Sequence, residues 1–180
     1  MLQPTYFACK VTDITLEFLA SEGIKGIILD VDDTLVARKV STPDLSVKNW
    51  VENLKENGIK VILLSNNMKK RVKPFAEKIG VPFISFSMKP LTIGLKKAIK
   101  EISCEKANVL VIGDQIFTDI FVANLFKVRS LLVEPITENK TLLFKIKRFF
   151  EKFVKEKIAP EKNINFREYS EVSKKWERKM

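Results

Sequence analysis

Three carboxylates and a threonine follow an apolar run of this 180-residue chain within five positions. The run Ile-Ile-Leu at 27–29 is typical of a buried strand, and Asp30, Asp32, Asp33 and Thr34 come directly after it. Asp30 and Asp32 are separated by one residue, so both carboxylates can turn toward one site just beyond the strand. Burying such a cluster is costly unless a cation or protons neutralise it. A solvated acidic loop explains the cluster equally well by itself, but later motifs favour metal-assisted phosphoryl transfer.

Three later stretches supply the other groups that this chemistry requires. Ser65 and Asn66 follow a second apolar run, Lys89 lies at the start of a predicted helix, and Asp114 follows another apolar run. Each of these positions falls at the carboxyl end of a predicted strand. That edge is where open α/β sheets bind ligands. We therefore expect these side chains to converge with Asp30 and Asp32 at one site.

The alternation of apolar and amphipathic segments predicts a three-layer, Rossmann-like α/β fold with five mostly parallel strands and helices on both faces. The predicted strands are 24–29, 60–64, 81–86, 108–112 and 129–133, and the predicted helices are 12–21, 43–57, 69–79, 91–101 and 118–126. On the helix that begins at 43–44, Leu45 is predicted to share the apolar side with Trp50. We divide the chain into a core at 1–139 and a basic C-terminal helix and tail at 140–180.

Composition excludes several classes of enzyme and indicates a compartment. The chain contains no histidine, which excludes Ser–His–Asp and Cys–His catalysis and His-ligated zinc hydrolases. Cys9 and Cys104 share no CxxC spacing, and the apolar runs are too short to span a bilayer. The N-terminus lacks the basic region followed by an apolar stretch that is typical of a secretory signal. We therefore expect a cytoplasmic protein with reduced thiols.

The formal charge of +10 is unevenly distributed. Residues 140–180 hold 13 lysines and arginines and 6 acidic residues, a net charge of +7. Such a tail suggests an anionic partner, either a membrane surface or a nucleic acid, although a solvated surface gives the same pattern. The segment 141–158 has one apolar helical face flanked by lysines, which predicts either a helix in an anionic lipid interface or a helix packed on the sheet. The role of 159–180 stays open.

Taken together, the motifs resemble the haloacid dehalogenase (HAD) superfamily of phosphohydrolases. The pattern is an apolar strand leading into D-x-D-x-T at 30–34, then Ser65, then Lys89, and then G-D-x-x-x-x-D at 113–119. The strings LDVDDTLV, LLSNN with the following RV, MKP and GDQIFTDI are similar to the YqeG-like branch of subfamily IIIA. That branch is similar to the mitochondrial phosphatidylglycerophosphate phosphatases. This chain departs from the branch at Asp33, where Asn is more usual and the superfamily has Gly.

The resemblance implies a nucleophile, a cofactor and an acid–base group. Asp30 would attack phosphorus to give an aspartyl-phosphate. Mg²⁺ would bind Asp30, Asp114 and the main-chain carbonyl of Asp32. Asp32 would protonate the leaving oxygen and then take a proton from the hydrolytic water.

The remaining motif residues would hold the phosphoryl group or support the site. Ser65 and the main chain of Asn66 would bind the phosphoryl oxygens, and Lys89 would offset their charge. Asp119 would support the water shell of the metal or pair with Lys89. Thr34 would make an orienting bond within its loop or cap the next helix. For Asn67 the alternatives are a helix cap and a ligand role.

The substrate prediction rests on the absence of a lid. The predicted connections between Asp30 and Ser65, and between Ser65 and Lys89, each hold one helix and one strand, which leaves no room for the lid domains that the superfamily inserts there. An open site implies a large or lipid-borne substrate, and the branch points to phosphatidylglycerophosphate in phospholipid metabolism. A nucleic-acid partner is less favoured.

The sequence is also compatible with two other functions. The first is a broad-specificity phosphatase of small molecules or nucleotides, and the second is a non-catalytic module that binds phosphate or RNA. A response-regulator receiver is disfavoured, because Lys89 precedes Asp114 and the third predicted strand ends without an Asp.

Overall fold

The computed structural model describes residues 2–38 and 40–137. Six strands form one parallel sheet in the order β1-β6-β5-β2-β3-β4. The strands are β1 (Tyr6–Ala8), β2 (Gly26–Leu29), β3 (Lys60–Leu64), β4 (Phe83–Ile84), β5 (Val109–Gly113) and β6 (Arg129–Val133). The helices are α1 (Leu16–Ser21), α2 (Leu45–Glu56), α3 (Lys69–Ile79), α4 (Thr92–Glu101) and α5 (Phe121–Leu125). A 3₁₀ turn at Val11–Asp13, another at Lys106–Asn108 and a π-helical turn at Ile116–Ile120 complete the described elements.

Side-chain alternation along the central strands builds a core on each face of the sheet. Ile27 and Leu29 of β2 pack in the cluster that includes Val51 of α2 and Phe75 of α3. Ile28, between them, packs in the cluster on the other face with Leu95 of α4. Both faces are covered, which explains why these strands are continuously apolar.

The register of the central strands fixes where the polar loops begin. Leu29 pairs with Leu63 of β3 and with Ile112 of β5. The residues that follow β2, β3 and β5 therefore leave the sheet at the same level. Asp30 begins the first of these loops, and its amide donates to Ile112 O at 2.9 Å.

The predicted fold class is confirmed, with one more strand than predicted. The missed strand is β1, a three-residue edge strand that pairs with β6 through Tyr6↔Leu131. The predicted helix at 12–21 is in fact the turn Val11–Asp13 followed by α1, with Thr15 accepting a capping bond from Phe18 N. The segments Lys60–Leu64, Lys69–Ile79 and Arg129–Val133 are as predicted.

Two other predicted boundaries and one predicted side-chain position are wrong for local reasons. The strand predicted at 81–86 is only Phe83–Ile84, because Phe86 adopts a left-handed backbone with φ 50°. The helix predicted at 118–126 begins earlier, as the π-helical turn. Leu45 is 71% exposed rather than on the buried side of α2, since it is the first residue after the N-cap Asp44.

The connections at the carboxyl edge are short. In the described residues, the one strand pairing between β2 and α2 is a bridge between Asp32 and Val36. The described chain contains no inserted domain between β2 and α2 or between β3 and α4. None of the helices within 2–38 and 40–137 is both long and apolar enough to cross a bilayer. The predicted helix at 141–158, the segment 159–180 and the proposed boundary at 139/140 lie outside the described residues.

Candidate active site

A buried lysine joins two of the carboxylates at the carboxyl edge of the sheet. The Nζ atom of Lys89 donates to Asp30 Oδ1 at 2.7 Å, to Asp119 Oδ1 at 2.6 Å and to the main-chain oxygen of Leu64 at 2.7 Å. All three of its protons thus have acceptors, and the lysine is only 7% exposed. An ammonium held this firmly carries fixed positive charge to the site.

Asn66 fixes the backbone that carries Lys89. Its Nδ2 atom donates to Lys89 O at 2.9 Å, and its Oδ1 atom accepts from Lys89 N at 2.7 Å and from Ser87 Oγ at 2.8 Å. The side chain of Asn66 is therefore engaged in holding the loop before α4. Its predicted role, by contrast, used the main-chain N–H.

The π-helical turn places Asp119 against the end of β5. Its Oδ2 atom accepts from Gln115 N at 3.2 Å, while Oδ1 accepts from Lys89. A Cβ atom at Gly113 would overlap the carboxylate of Asp119, so only glycine permits this approach. Of the two roles predicted for Asp119, the pairing with Lys89 is the one present. Single π-helical turns are frequent at functional sites.

One ammonium serves two carboxylates here, and the pKa values reflect that imbalance. The pKa of Asp30 is raised to about 6, because burial, the largest cause, and the charge of Asp119 together outweigh the lowering by Lys89. Burial alone would lower the pKa of Lys89, but Asp119 and Asp30 together outweigh burial and raise it above its usual value. The centre therefore has an excess of negative charge that a bound cation would neutralise.

Three carboxylates lie close enough to share a cation. One oxygen from each of Asp30, Asp114 and Asp119 lies within 4.8 Å of the other two, and all three residues are buried. Carboxylate oxygens are ligands that Mg²⁺ and Ca²⁺ prefer. Thr34 Oγ1 donates to Asp114 Oδ1 at 3.3 Å, which links the first polar loop to the loop after β5. Thr34 does not cap a helix, because the cap of α2 is Asp44.

Asp32 faces a different pair of donors. Arg71 of α3 contacts its Oδ1 atom through Nη2 at 2.7 Å and through Nε at 3.2 Å, and Asn67 Nδ2 donates to its Oδ2 atom. Asn67 does not cap α3, because the N-cap residue is Met68. Asp30 and Asp32 thus have separate surroundings, although one residue lies between them.

Asp33 bonds the cleft-lining Arg38 and the chain that follows β6. It adopts a left-handed backbone with φ 66°, and its carboxylate accepts from Arg38 Nε at 2.6 Å and from Thr137 Oγ1. The amide of Ile136 also donates to Asp33 O at 2.9 Å. Glycine adopts the left-handed conformation without strain, which is consistent with the Gly expected at this position from the HAD superfamily motif.

Within the described residues, clefts lie at both edges of the sheet. The carboxyl-edge cleft holds about 490 Å³ and is lined by Asp30, Asp32, Arg38, Ser65, Asn66, Asn67, Arg71, Lys89, Gln115 and Thr118. The amino-edge cleft holds about 440 Å³, and its lining includes Lys55, Gly58, Lys60 and Glu101. All the predicted site residues except Thr34, Asp114 and Asp119 line the first cleft. Asp119 bonds the lining residue Lys89, an oxygen of Asp114 lies within 4.8 Å of one of Asp30, and Thr34 bonds Asp114.

Sequence reasoning missed two basic side chains of the carboxyl-edge cleft. Arg71 lies in the RV pair that follows LLSNN, which is the signal that could have identified it, but the pair by itself does not indicate a role. Arg38 lies four residues after Thr34, the last residue of the D-x-D-x-T motif. Ser65, which was predicted to bind phosphoryl oxygens, is 1% exposed and accepts from Asn67 N at 3.2 Å.

Comparisons with known proteins identify the family that this chain resembles. Residues 38–125 match the family described as haloacid dehalogenase-like hydrolase. Over 167 residues, the chain is 35% identical to the probable phosphatase YqeG of Bacillus subtilis (strain 168), and the alignment covers 92% of this chain and 96% of that protein.

Solved structures share the fold at low identity. An uncharacterized protein from Listeria monocytogenes serotype 4b superposes with a TM-score of 0.53 and 16% identity, covering 66% of this chain and 85% of the other. A hypothetical protein from Xanthomonas campestris gives a TM-score of 0.51 and 14% identity, covering 69% of this chain and 72% of the other. At these identities the likeness shows the fold alone.

Proposed function

Because the chain belongs to the haloacid dehalogenase-like hydrolase family and is a phosphatase of that type, we propose that it hydrolyses phosphomonoesters with Mg²⁺ through an aspartyl-phosphate on Asp30. The observation that carries this proposal is the buried centre in which Lys89 bonds both Asp30 and Asp119. Within 4.8 Å of one another, the oxygens of Asp30, Asp114 and Asp119 also form a donor set that suits a hard divalent cation.

The donor set supports Asp30 and Asp114 as the side-chain metal ligands. Both oxygens of Asp119 already accept hydrogen bonds, one from Lys89 and one from Gln115 N. Asp119 is therefore better suited to hold Lys89 in place than to bind the metal. The main-chain carbonyl of Asp32 is the third ligand in this proposal. When bound, the cation would screen the carboxylate nucleophile from the phosphate dianion and polarise the phosphoryl oxygens.

The different surroundings of Asp30 and Asp32 support different roles. An oxygen of Asp30 forms a bond to phosphorus as the bond from phosphorus to the leaving oxygen breaks, and Asp32 gives its proton to that oxygen. In the second step Asp32 takes a proton from water, the water oxygen bonds to phosphorus, and the Asp30 carboxylate is released. Arg71 and Asn67 hold the carboxylate of Asp32 in place for both transfers.

The phosphoryl group would be held by donors that already surround the centre. We assign Ser65 and the main-chain amide of Asn66 to its oxygens, and we assign to the fixed positive charge of Lys89 the role of offsetting the charge on them. Lys89 is positioned by the Asn66 side chain, so it needs little reorganisation when charge develops. Thr34 would act through Asp114, which it contacts.

We further propose that the substrate is phosphatidylglycerophosphate or a similar lipid phosphate. Support comes from the resemblance to the phosphatidylglycerophosphate phosphatases and from a carboxyl-edge cleft whose described surroundings contain no inserted lid. Association with an anionic membrane through residues 141–158 stays a prediction. A broad-specificity phosphatase of small molecules is the second candidate, since an open cleft also admits soluble phosphomonoesters.

A turnover screen tests the proposal. Phosphate release is measured from lipid phosphates in vesicles, nucleotides, sugar phosphates and p-nitrophenyl phosphate, with Mg²⁺ and with EDTA. We expect Mg²⁺-dependent turnover that is fastest with the lipid phosphate. Faster turnover of soluble esters would favour the second candidate, and equal turnover with EDTA would exclude the metal role.

Metal binding has a separate readout that needs no turnover. Because a ligand of the folded state stabilises it by mass action, Mg²⁺ should raise the thermal midpoint of the wild-type protein. The rise should vanish in Asp114→Asn and persist in Glu101→Gln, a variant at the amino-edge cleft. An equal rise in Asp114→Asn would contradict the proposed ligand set.

A further inference from the structure

Four large apolar side chains are exposed beside the carboxyl-edge cleft, and we call them the apolar rim: Met68, Phe86, Met88 and Leu91. Their exposed fractions are 63%, 68%, 46% and 50%. Met68 follows the cleft-lining Asn67, and Phe86 N donates to Asn67 O at 2.8 Å, so two strand ends contribute to the rim. Large apolar side chains exposed together at one edge of a sheet mark interaction sites.

Two members of the apolar rim have an unusual backbone conformation. Phe86 and Met88 adopt left-handed conformations with φ 50° and 58°, which bulky L residues rarely do. Between them, Ser87 points inward, is 2% exposed and bonds Asn66 Oδ1, and the next residue, Lys89, enters the active centre. The same short loop therefore directs alternate side chains into the catalytic centre and into solvent. An apolar pair displayed at a backbone cost indicates a functional surface.

The rim lies in the most basic described part of the chain. Residues 66–100 hold nine lysines and arginines and one acidic residue, Glu77, a net charge of +8 against +10 for the whole chain. Lys69 and Lys70 follow Met68 directly and are exposed at the start of α3, at the carboxyl edge of the sheet. Apolar side chains beside exposed lysines are the composition of an anionic lipid interface.

We propose that the apolar rim docks onto an anionic phospholipid bilayer, with Phe86 and Met88 inserted among the lipids and Lys69 and Lys70 at the headgroups. The proposal rests on the lipid substrate proposed above and adds the surface that brings the site to it. Both rim and cleft lie at the carboxyl edge, so a docked rim presents the cleft to headgroup phosphates. A lipid phosphate can then reach Asp30 without leaving the bilayer.

Charge argues against the other occupants of the rim. The C-terminal segment 140–180 has a net charge of +7, and a second copy would bring another +8 surface, so each would meet like charge. An RNA would satisfy the lysines, but Phe86 is the single aromatic side chain of the rim, and three of its four members offer no stacking face.

The test compares vesicle binding by the full chain and by paired variants. Co-sedimentation is measured with vesicles of phosphatidylcholine alone and with vesicles that also contain phosphatidylglycerol. The rim variant is Phe86→Asn with Met88→Asn, since Asn tolerates the left-handed conformation; the charge variant is Lys69→Gln with Lys70→Gln. We expect affinity for the anionic vesicles to fall roughly tenfold in the rim variant and roughly thirtyfold in the charge variant.

Matched controls lie elsewhere on the surface. Leu125→Asn changes an apolar side chain that is 47% exposed at the end of α5, and Lys25→Gln with Lys48→Gln removes two exposed lysines from other elements. These controls should bind as the wild type does, and all variants should hydrolyse p-nitrophenyl phosphate at the wild-type rate. Equal vesicle binding by wild type and both test variants would overturn the proposal. So would a lower thermal midpoint or a changed oligomeric state in the rim variant, or a higher affinity for single-stranded RNA than for anionic vesicles.

The outcome separates docking from substrate identity. Vesicle binding that the rim and charge variants lose supports docking even if no lipid phosphate is hydrolysed. Hydrolysis of a lipid phosphate at the same rate by wild type and both variants would overturn docking and leave the substrate proposal intact.

Discussion

The two edges of the sheet carry clefts of similar volume, about 490 Å³ at the carboxyl ends of the strands and about 440 Å³ at the amino ends. The carboxyl-edge cleft has charged side chains that are buried and bonded to one another, such as Asp30 and Lys89, which are both 7% exposed. The amino-edge cleft has charged side chains such as Lys55, Lys60 and Glu101 that are exposed. Only the first arrangement gives preorganised charge in a low-dielectric setting.

Strand direction explains the contrast. In parallel strands the loops that leave the carboxyl ends point into one region, and here four of them bring residues distant in the sequence together at Lys89. The amino ends receive the chain from the helices through tight turns such as that at Gly58, with φ 77°. Cleft volume alone therefore does not identify the site. Equivalent changes at the two edges should have unequal consequences, which makes the comparison testable.

The largest difference should come from removing a carboxylate at each edge. Asp30→Asn removes the proposed nucleophile, and we expect turnover of p-nitrophenyl phosphate to fall about 10⁴-fold or more. Stability should not fall, because Asn relieves the excess of two carboxylates over one ammonium around Lys89. Glu101→Gln at the amino edge should keep turnover within about twofold. Phosphate release and thermal unfolding measure both effects; equal rates for Asp30→Asn and wild type would end the nucleophile assignment.

Removing a lysine at each edge should lower the free energy of unfolding by very different amounts. Lys89→Met leaves Asp30 and Asp119 buried without their shared cation, and we expect a loss of about 3–5 kcal/mol in the free energy of unfolding. Lys60→Met at the amino edge removes an exposed charge and should change it by about 0.5 kcal/mol or less. Urea unfolding without metal measures both. A loss below 1 kcal/mol for Lys89→Met would mean that the buried pairs contribute little.

Much of the carboxyl edge could be predicted from the sequence because strand period and motif order are local signals. Asp30, Ser65 and Asp114 each follow a continuous apolar run, and a parallel sheet then brings them to one edge. The three-residue β1 is too short for its period to show, and its pairing with β6 depends on residues more than 120 positions away.

The contacts of single side chains could not be predicted in the same way. The bond from Arg71 to Asp32 spans 39 positions and depends on how α3 packs. Asn67 precedes a helix, which predicts a capping or ligand role, but its side chain donates to Asp32. Asp33 stands at a position that favours glycine, yet its carboxylate bonds Thr137, 104 positions away. Such contacts follow from tertiary packing rather than from local pattern.

Two glycines offer a smaller and more specific comparison. A Cβ at Gly113 would overlap Asp119, so Gly113→Ala should displace that carboxylate and cost about 1–3 kcal/mol of stability. Gly58, at the amino edge, has no atom within 4 Å of its would-be Cβ, and Gly58→Ala should cost about 1 kcal/mol through its positive φ alone. Turnover should fall in Gly113→Ala and remain unchanged in Gly58→Ala. Loss of turnover in both, with folding intact, would show that the amino edge communicates with the site.

The smallest expected change in turnover comes from replacing one basic side chain at each edge, Arg71 and Lys55. Arg71 holds Asp32 through two nitrogens, whereas Lys55 donates to the main-chain oxygen of Gly80 at 3.0 Å. Arg71→Met should lower kcat for a soluble phosphomonoester about tenfold with little change in KM, because within the described part of the chain Asn67 is then the only side chain that donates to Asp32. Lys55→Met should leave both parameters unchanged. If Arg71→Met instead raised KM at constant kcat, Arg71 would contact the substrate rather than orient Asp32, and Arg71→Lys would then restore KM because the positive charge is kept.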